Sequence, residues 1–161
     1  MAWLHERHHQ NHGGYYFTCL GREVLGGLAK VKLLLDTHII LWSAAEPERF
    51  PAKVAEELEN ESNELWFSSI SVWEILLLAE KGRVVLGADH EKSIRRIFQK
   101  LPLREAVINQ EVAIQSRYVD LPHQDPADRF LAATAMVYDL TLVTADSRLI
   151  DAKEFSVLAI P

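Results

Sequence analysis

Apolar and polar residues alternate in blocks along most of this chain, and the period changes from block to block. Val31, Leu33, Leu34 and Leu35 form a short apolar run, the pattern of a strand buried on both faces. The run ends abruptly at Asp36, with Thr37 and His38 behind it. Ile39 to Ala45 continues as a short helix until Glu46 and Pro47 interrupt it, and Pro51 opens a second helix reaching about Ser62, with Val54 and Leu58 on one face. Glu64 to Ser68 reads as a second buried strand, rich in aromatic residues. A helix from Ser71 to Gly82 follows, then a brief extended piece at Val84 to Leu86 and a helix over Asp89 to Lys100. Beyond it the pattern predicts a strand over Leu103 to Ile108, a helix over Asn109 to Val119 and a further helix opening at Pro126. Thr141 to Thr144 reads as a last central strand, Ser147 to Ile150 as a turn and Phe155 to Ile160 as a closing edge strand.

Strands that alternate with helices predict a three-layer α/β/α domain around a central, mainly parallel sheet of four to five strands. Right-handed crossovers bring the carboxyl ends of such strands to one edge, where ligands bind. Four acids fall on that edge. Asp36 directly follows the first strand, and Ser71 to Glu74 spells S-V-W-E, a capping box that puts Glu74 in the first helical turn after the second strand. In D-P-A-D, Asp125 is the expected N-cap, Pro126 the first helical residue and Asp128 a first-turn acid, while Asp146 follows the strand over Thr141 to Thr144. Each has an ordinary explanation as a cap or a partner of the helix dipole. Gathered on one rim, however, four carboxylates repel one another and push some pKa values up unless a cation joins them. Mg²⁺, or Mn²⁺ in its place, suits carboxylate and water oxygens, and no Cys/His set for zinc is completed. Such a cation can bind a phosphate oxygen and lower the pKa of a bound water, so the chemistry expected is phosphodiester hydrolysis.

Composition narrows the setting. With 161 residues, 48% of them hydrophobic, the chain has enough interior for one packed domain. Cys19 is the single cysteine and no apolar run is long enough to span a bilayer, so a cytoplasmic protein without a membrane partner is expected. The net charge of −6 argues against a broad, passive nucleic-acid surface. A nucleic-acid substrate then needs a metal and local cations. Lys92, Arg95, Arg96 and Lys100 provide a basic run, either a solvated helix face or a guide for phosphates. There is no G-x-S-x-G, P-loop or G-x-G-x-x-G. Trp42, Trp66 and Trp73 are expected in the core. Residues Met1 to Lys30 differ from the rest. They carry His5, His8, His9 and His12 without apolar periodicity, allow only a short strand at Tyr15 to Leu20, and become glycine-rich from Gly21. They are expected to be an appendage or the product of a misplaced start, with the functional domain over residues 31–161.

LLLDTHIILW, SISVWEILLLAEKGR, DPADRFLAATA and LVTAD, in that order and at these intervals, resemble the PIN-domain ribonucleases, specifically the VapC-like toxins of type II toxin–antitoxin pairs. The resemblance covers Val31 to about Pro161. It implies a metal site at Asp36, Glu74, Asp128 and Asp146, the acids already singled out, with Asp36 and Asp128 as the principal ligands. It makes Thr37, Asp125, Arg129 and Thr144 candidates for orienting those ligands or the substrate. It also implies Mg²⁺-dependent cleavage of RNA, a VapB-like antitoxin that blocks the site, and a homodimer. Two other readings stay open. The same fold could serve as an inactive scaffold for RNA or a partner, which need not bind Mg²⁺. A phosphoacceptor domain also uses a strand-end Asp with Mg²⁺, but it wants further acids before the first helix and a Lys at a late strand end.

Overall fold

The computed structural model describes residues 30–160. The expected appendage up to residue 29, with Cys19, its four histidines and its candidate strand, lies outside the described residues. Five strands form one sheet: β1 (Lys32–Leu35), β2 (Glu64–Ser68), β3 (Leu103–Ala106), β4 (Thr141–Thr144) and β5 (Val157–Ala159). Their order is β3-β2-β1-β4-β5, and every neighbouring pair is parallel. Parallel neighbours require crossovers, which among the described residues contain seven α-helices: α1 (Thr37–Ala45), α2 (Ala52–Glu59), α3 (Ser69–Glu80), α4 (His90–Lys100), α5 (Gln110–Tyr118), α6 (Pro126–Tyr138) and α7 (Ser147–Ile150).

The side chains of β1 show how the layers arise. Leu33 and Leu35 enter one core with Ile39 and Ile40 of α1, Val54 and Leu58 of α2, Ile75 of α3 and Ile94 of α4. Leu34, pointing the other way, enters a second core with Leu131, Ala132 and Ala135 of α6 and Leu149 of α7. Val143 and Leu142 of β4 divide in the same manner. A central strand buried on both faces has no polar side past its first residue, which is why Leu33, Leu34 and Leu35 follow one another without a break. The alanines of α6 let that helix lie close to the sheet, and Ala132 and Ala133 are fully buried.

Several boundaries differ from the sequence reading. β3 and β5 are shorter than expected, and Val84 to Leu86 pairs with no strand. α3 starts at Ser69 with Ser68 as its N-cap, so S-V-W-E is not the capping box. Ser71 is buried inside the helix and Glu74 lies beyond its first turn. Gly82 ends the α3 segment with a φ of 68°, a left-handed conformation that favours glycine. Trp42 and Trp66 pack against the two cores, whereas Trp73 is 49% exposed on α3 and is not a core residue.

Candidate metal centre

The strand order reverses at β1, between β2 on one side and β4 on the other. Such a switch point opens a crevice at the carboxyl ends of the strands. Asp36 sits there, directly after β1 and almost wholly buried. Its Oδ1 accepts the Thr37 backbone N–H at 2.5 Å, the local cap of α1. Its Oδ2 accepts the Thr144 hydroxyl at 2.6 Å. Thr144 is the last residue of β4, and its Oγ1 in turn accepts the Asp146 backbone N–H at 3.0 Å. On the other side, Thr37 Oγ1 donates to Glu74 Oε2 at 2.6 Å. The two threonines thus link three acids, two just after β1 and β4 and one on α3.

Arg148 joins the fourth. Its guanidinium pairs with Asp146, with Nε 3.0 Å from Oδ1, and its Nη2 lies 3.3 Å from Asp128 Oδ2. Asp128 stands in the first turn of α6 and is 8% exposed. Its Oδ2 is buried without a hydrogen bond of good geometry. Asp125 caps the same helix, accepting the Ala127 N–H at 2.9 Å. The charges respond to this crowding. Burial first, then the neighbouring charges of Asp125, Asp36 and Asp146, push the Asp128 carboxyl up to about 7. Burial and the charges of Asp36 and Asp125 also raise Glu74, against the Thr37 hydrogen bond. Arg148 holds Asp146 below the ordinary carboxylate range.

Arg129 is the expected site residue that the structure employs elsewhere. It is buried, and its Nε donates to the Ser116 carbonyl at 2.8 Å while Nη2 donates to those of Val119 at 2.9 Å and Arg117 at 3.1 Å. These are carbonyls at the end of α5, which need donors once the helix stops. Arg129 is therefore a clamp between α5 and α6, and not a group offered to substrate.

Two histidines beside the acids, His38 and His123, had no site role in the sequence reading. His38 Nδ1 is 3.3 Å from Asp36 Oδ2, and His123 Nε2 is 3.5 Å from Asp128 Oδ2. Burial opposes protonation of His38, but Asp36 and the other nearby acids outweigh it and raise its pKa. The only sequence signal was closeness to the motifs, His38 two residues after Asp36 and His123 two before Asp125.

With this geometry in view, comparison with known proteins is decisive. The family profile described as PIN domain matches residues 33–154. The chain belongs to the PIN-domain family. This PIN domain is 32% identical over 120 residues to ribonuclease VapC22 of Mycobacterium tuberculosis, a match that covers 73% of this chain and 88% of that protein. Its fold is similar to VapBC2 from Rickettsia felis, solved bound to a DNA fragment from its promoter, with a TM-score of 0.60 at 17% identity, covering 80% of this chain and 98% of that one. It is also similar to FitAcB from Neisseria gonorrhoeae, with a TM-score of 0.51 at 25% identity over 78% of this chain and 95% of that one. The architecture of the PIN domain is thus the five-stranded parallel sheet described above.

The residues present fit a hard divalent cation in chemistry. All four acids offer only carboxylate oxygens, and Asp128 Oδ2 is a buried acceptor that has the Arg148 ion pair but no hydrogen bond. Among the described residues, though, no three His, Cys, Asp or Glu side chains are gathered closely enough to form a ligand set. The Arg148 guanidinium supplies positive charge between Asp128 and Asp146. Among the described residues no helix is long and apolar enough to cross a membrane.

Proposed function

We propose that this PIN domain is a Mg²⁺-dependent endoribonuclease and the toxin of a toxin–antitoxin pair. The observation that carries the proposal is the connected chain of groups across the sheet edge, Glu74–Thr37–Asp36–Thr144–Asp146–Arg148–Asp128, ending on an oxygen of Asp128 that lacks a hydrogen bond. Its likeness to a named ribonuclease supports the activity.

Asp36 and Asp128 would be the principal holders of the cation, with Glu74 and Asp146 completing the acidic pocket. When bound, Mg²⁺ supplies positive charge for a phosphate oxygen and makes a water more acidic. The protein does the rest by position. Thr144 and the Thr37 amide fix both oxygens of Asp36 before any ligand arrives, so less ordering is needed on binding. Thr37 aims Glu74 into the same cleft. Arg148 is half exposed and can exchange its carboxylate partners for a phosphate. The substrate is RNA, and the partners are a VapB-like antitoxin and a second copy of the chain. VapBC complexes among the structural neighbours support the antitoxin.

The test is cleavage of a mixed RNA pool by the purified chain with Mg²⁺, with EDTA, and by Asp36→Asn. Cleavage that needs Mg²⁺ and is lost in a folded Asp36→Asn variant is the expected result. A folded chain that binds no Mg²⁺ and cuts no RNA in the pool would instead favour the scaffold, the reading that the absence of a gathered ligand set encourages.

A further inference from the structure

Asp36 and Asp128 lie on different elements, yet each faces an imidazole held in the same way. His38 Nε2 accepts the Ala145 backbone N–H at 3.0 Å, and its Nδ1 faces Asp36 Oδ2 at 3.3 Å. His123 Nδ1 accepts the Asp125 backbone N–H at 3.3 Å, and its Nε2 faces Asp128 Oδ2 at 3.5 Å. A backbone amide only donates. The nitrogen that accepts from it must keep its lone pair, so the ring proton belongs on the other nitrogen, the one facing the carboxylate. His123 is mostly buried, and neither its Nε2 nor Asp128 Oδ2 has any hydrogen bond of good geometry. The gap is about half an ångström longer than a good N–H···O bond, and a small rotation of the carboxylate would close it. Each ring also ties its aspartate to a junction. Ala145 follows β4 and Asp125 caps α6.

We propose that His38 and His123 are a matched pair of positioning residues. Each accepts a backbone amide on one ring nitrogen and turns the N–H of the other on one oxygen of Asp36 or Asp128. Hydrogen bonds of this kind fix the rotation of a ligating carboxylate and leave its other lone pairs for the cation. The inference rests on the metal reading of the acidic pocket.

It is tested on the full chain with Mn²⁺ as the probe, by titration calorimetry or by the free-ion paramagnetic resonance signal. Folded His38→Ala and His123→Ala variants are expected to bind Mn²⁺ about tenfold or more weakly than the wild type. His38→Asn and His123→Gln, which place an amide N–H near the lost Nδ1–H and Nε2–H, should recover much of that loss. Long-range ¹H–¹⁵N spectra of the metal-free protein near pH 7.5 should show His38 protonated on Nδ1 and His123 on Nε2, assigned by the signals missing from each variant. Alanine variants that bind as tightly as the wild type, or the opposite tautomers, would overturn the proposal while leaving the metal site intact. A folded wild type that binds no Mn²⁺ overturns the metal site and this proposal together. Should an alanine variant not fold, the tautomers of the wild type decide.

Discussion

Asp128 holds its proton to about pH 7 because it is buried among other acids, and that property reaches both binding and stability. A cation at this site must displace the proton, so below pH 7 apparent Mn²⁺ affinity should fall by about tenfold per pH unit, read by titration calorimetry between pH 5 and 7. In the metal-free protein the sign is the reverse. The folded carboxyl has a higher pKa than the unfolded one, so its contribution to stability is fully present below the unfolded value of 3.8 and is lost as pH rises through 7. The urea midpoint of the metal-free chain should therefore decline over that interval, and Asp128→Asn should flatten the decline. Arg129 makes the opposite kind of case, a charge whose work is structural. Arg129→Leu should lower stability by about 3 kcal/mol, since it strips donors from the buried end of α5, and equilibrium urea unfolding would show it. Asp36 and Asp146 were legible in the sequence because a carboxylate just after an apolar run sits at a strand end, and Asp128 because D-P-A-D announces a helix start. His38 was not, because the amide that orients it is Ala145, 107 residues away.

At the scale of elements, the pairing of Glu74 with Thr37 shows where local signals stop. S-V-W-E satisfies the letters of a capping box, but β2 runs straight into α3 and Ser68 takes the cap. Freed from the helix terminus, Glu74 reaches across to α1, an interaction between residues 37 apart in sequence. The local pattern placed the acid on the right edge for a different reason. Helix ends governed by backbone conformation are more legible. Gly82 stops the α3 segment at a φ of 68° with open space around its Cα, so Gly82→Ala should cost about 1 kcal/mol through conformation alone, measured as a lower thermal midpoint with unchanged metal binding. The structural role of Arg129 escaped notice for the same reason as that of Glu74. The carbonyls it serves belong to another helix, and no spacing along α6 announces them.

For the whole molecule, the domain that the family profile matches begins at residue 33, inside β1. Lys30 meets Glu64 only through an ion pair that is half exposed on the lysine side, a kind of contact that adds little. On the bounds of the family profile, a chain of residues 31–161 is expected to unfold at the same temperature as the full chain, within about 2 °C, and to bind Mn²⁺ equally well. Loss of folding in that shorter chain would show that residues 1–30 belong to the domain. The alternation of strands and helices, the parallel sheet covered on both faces and the acids at its carboxyl edge were all determined by the sequence itself, because burial on two faces and chain reversal leave a local imprint of period and punctuation. The order β3-β2-β1-β4-β5, the two threonines that link the acids, the Arg148 guanidinium between two of them and the imidazoles behind Asp36 and Asp128 were decided only by tertiary structure. Those features depend on which strand ends become neighbours, and a hydrogen bond between residues a hundred positions apart has no periodicity to reveal it.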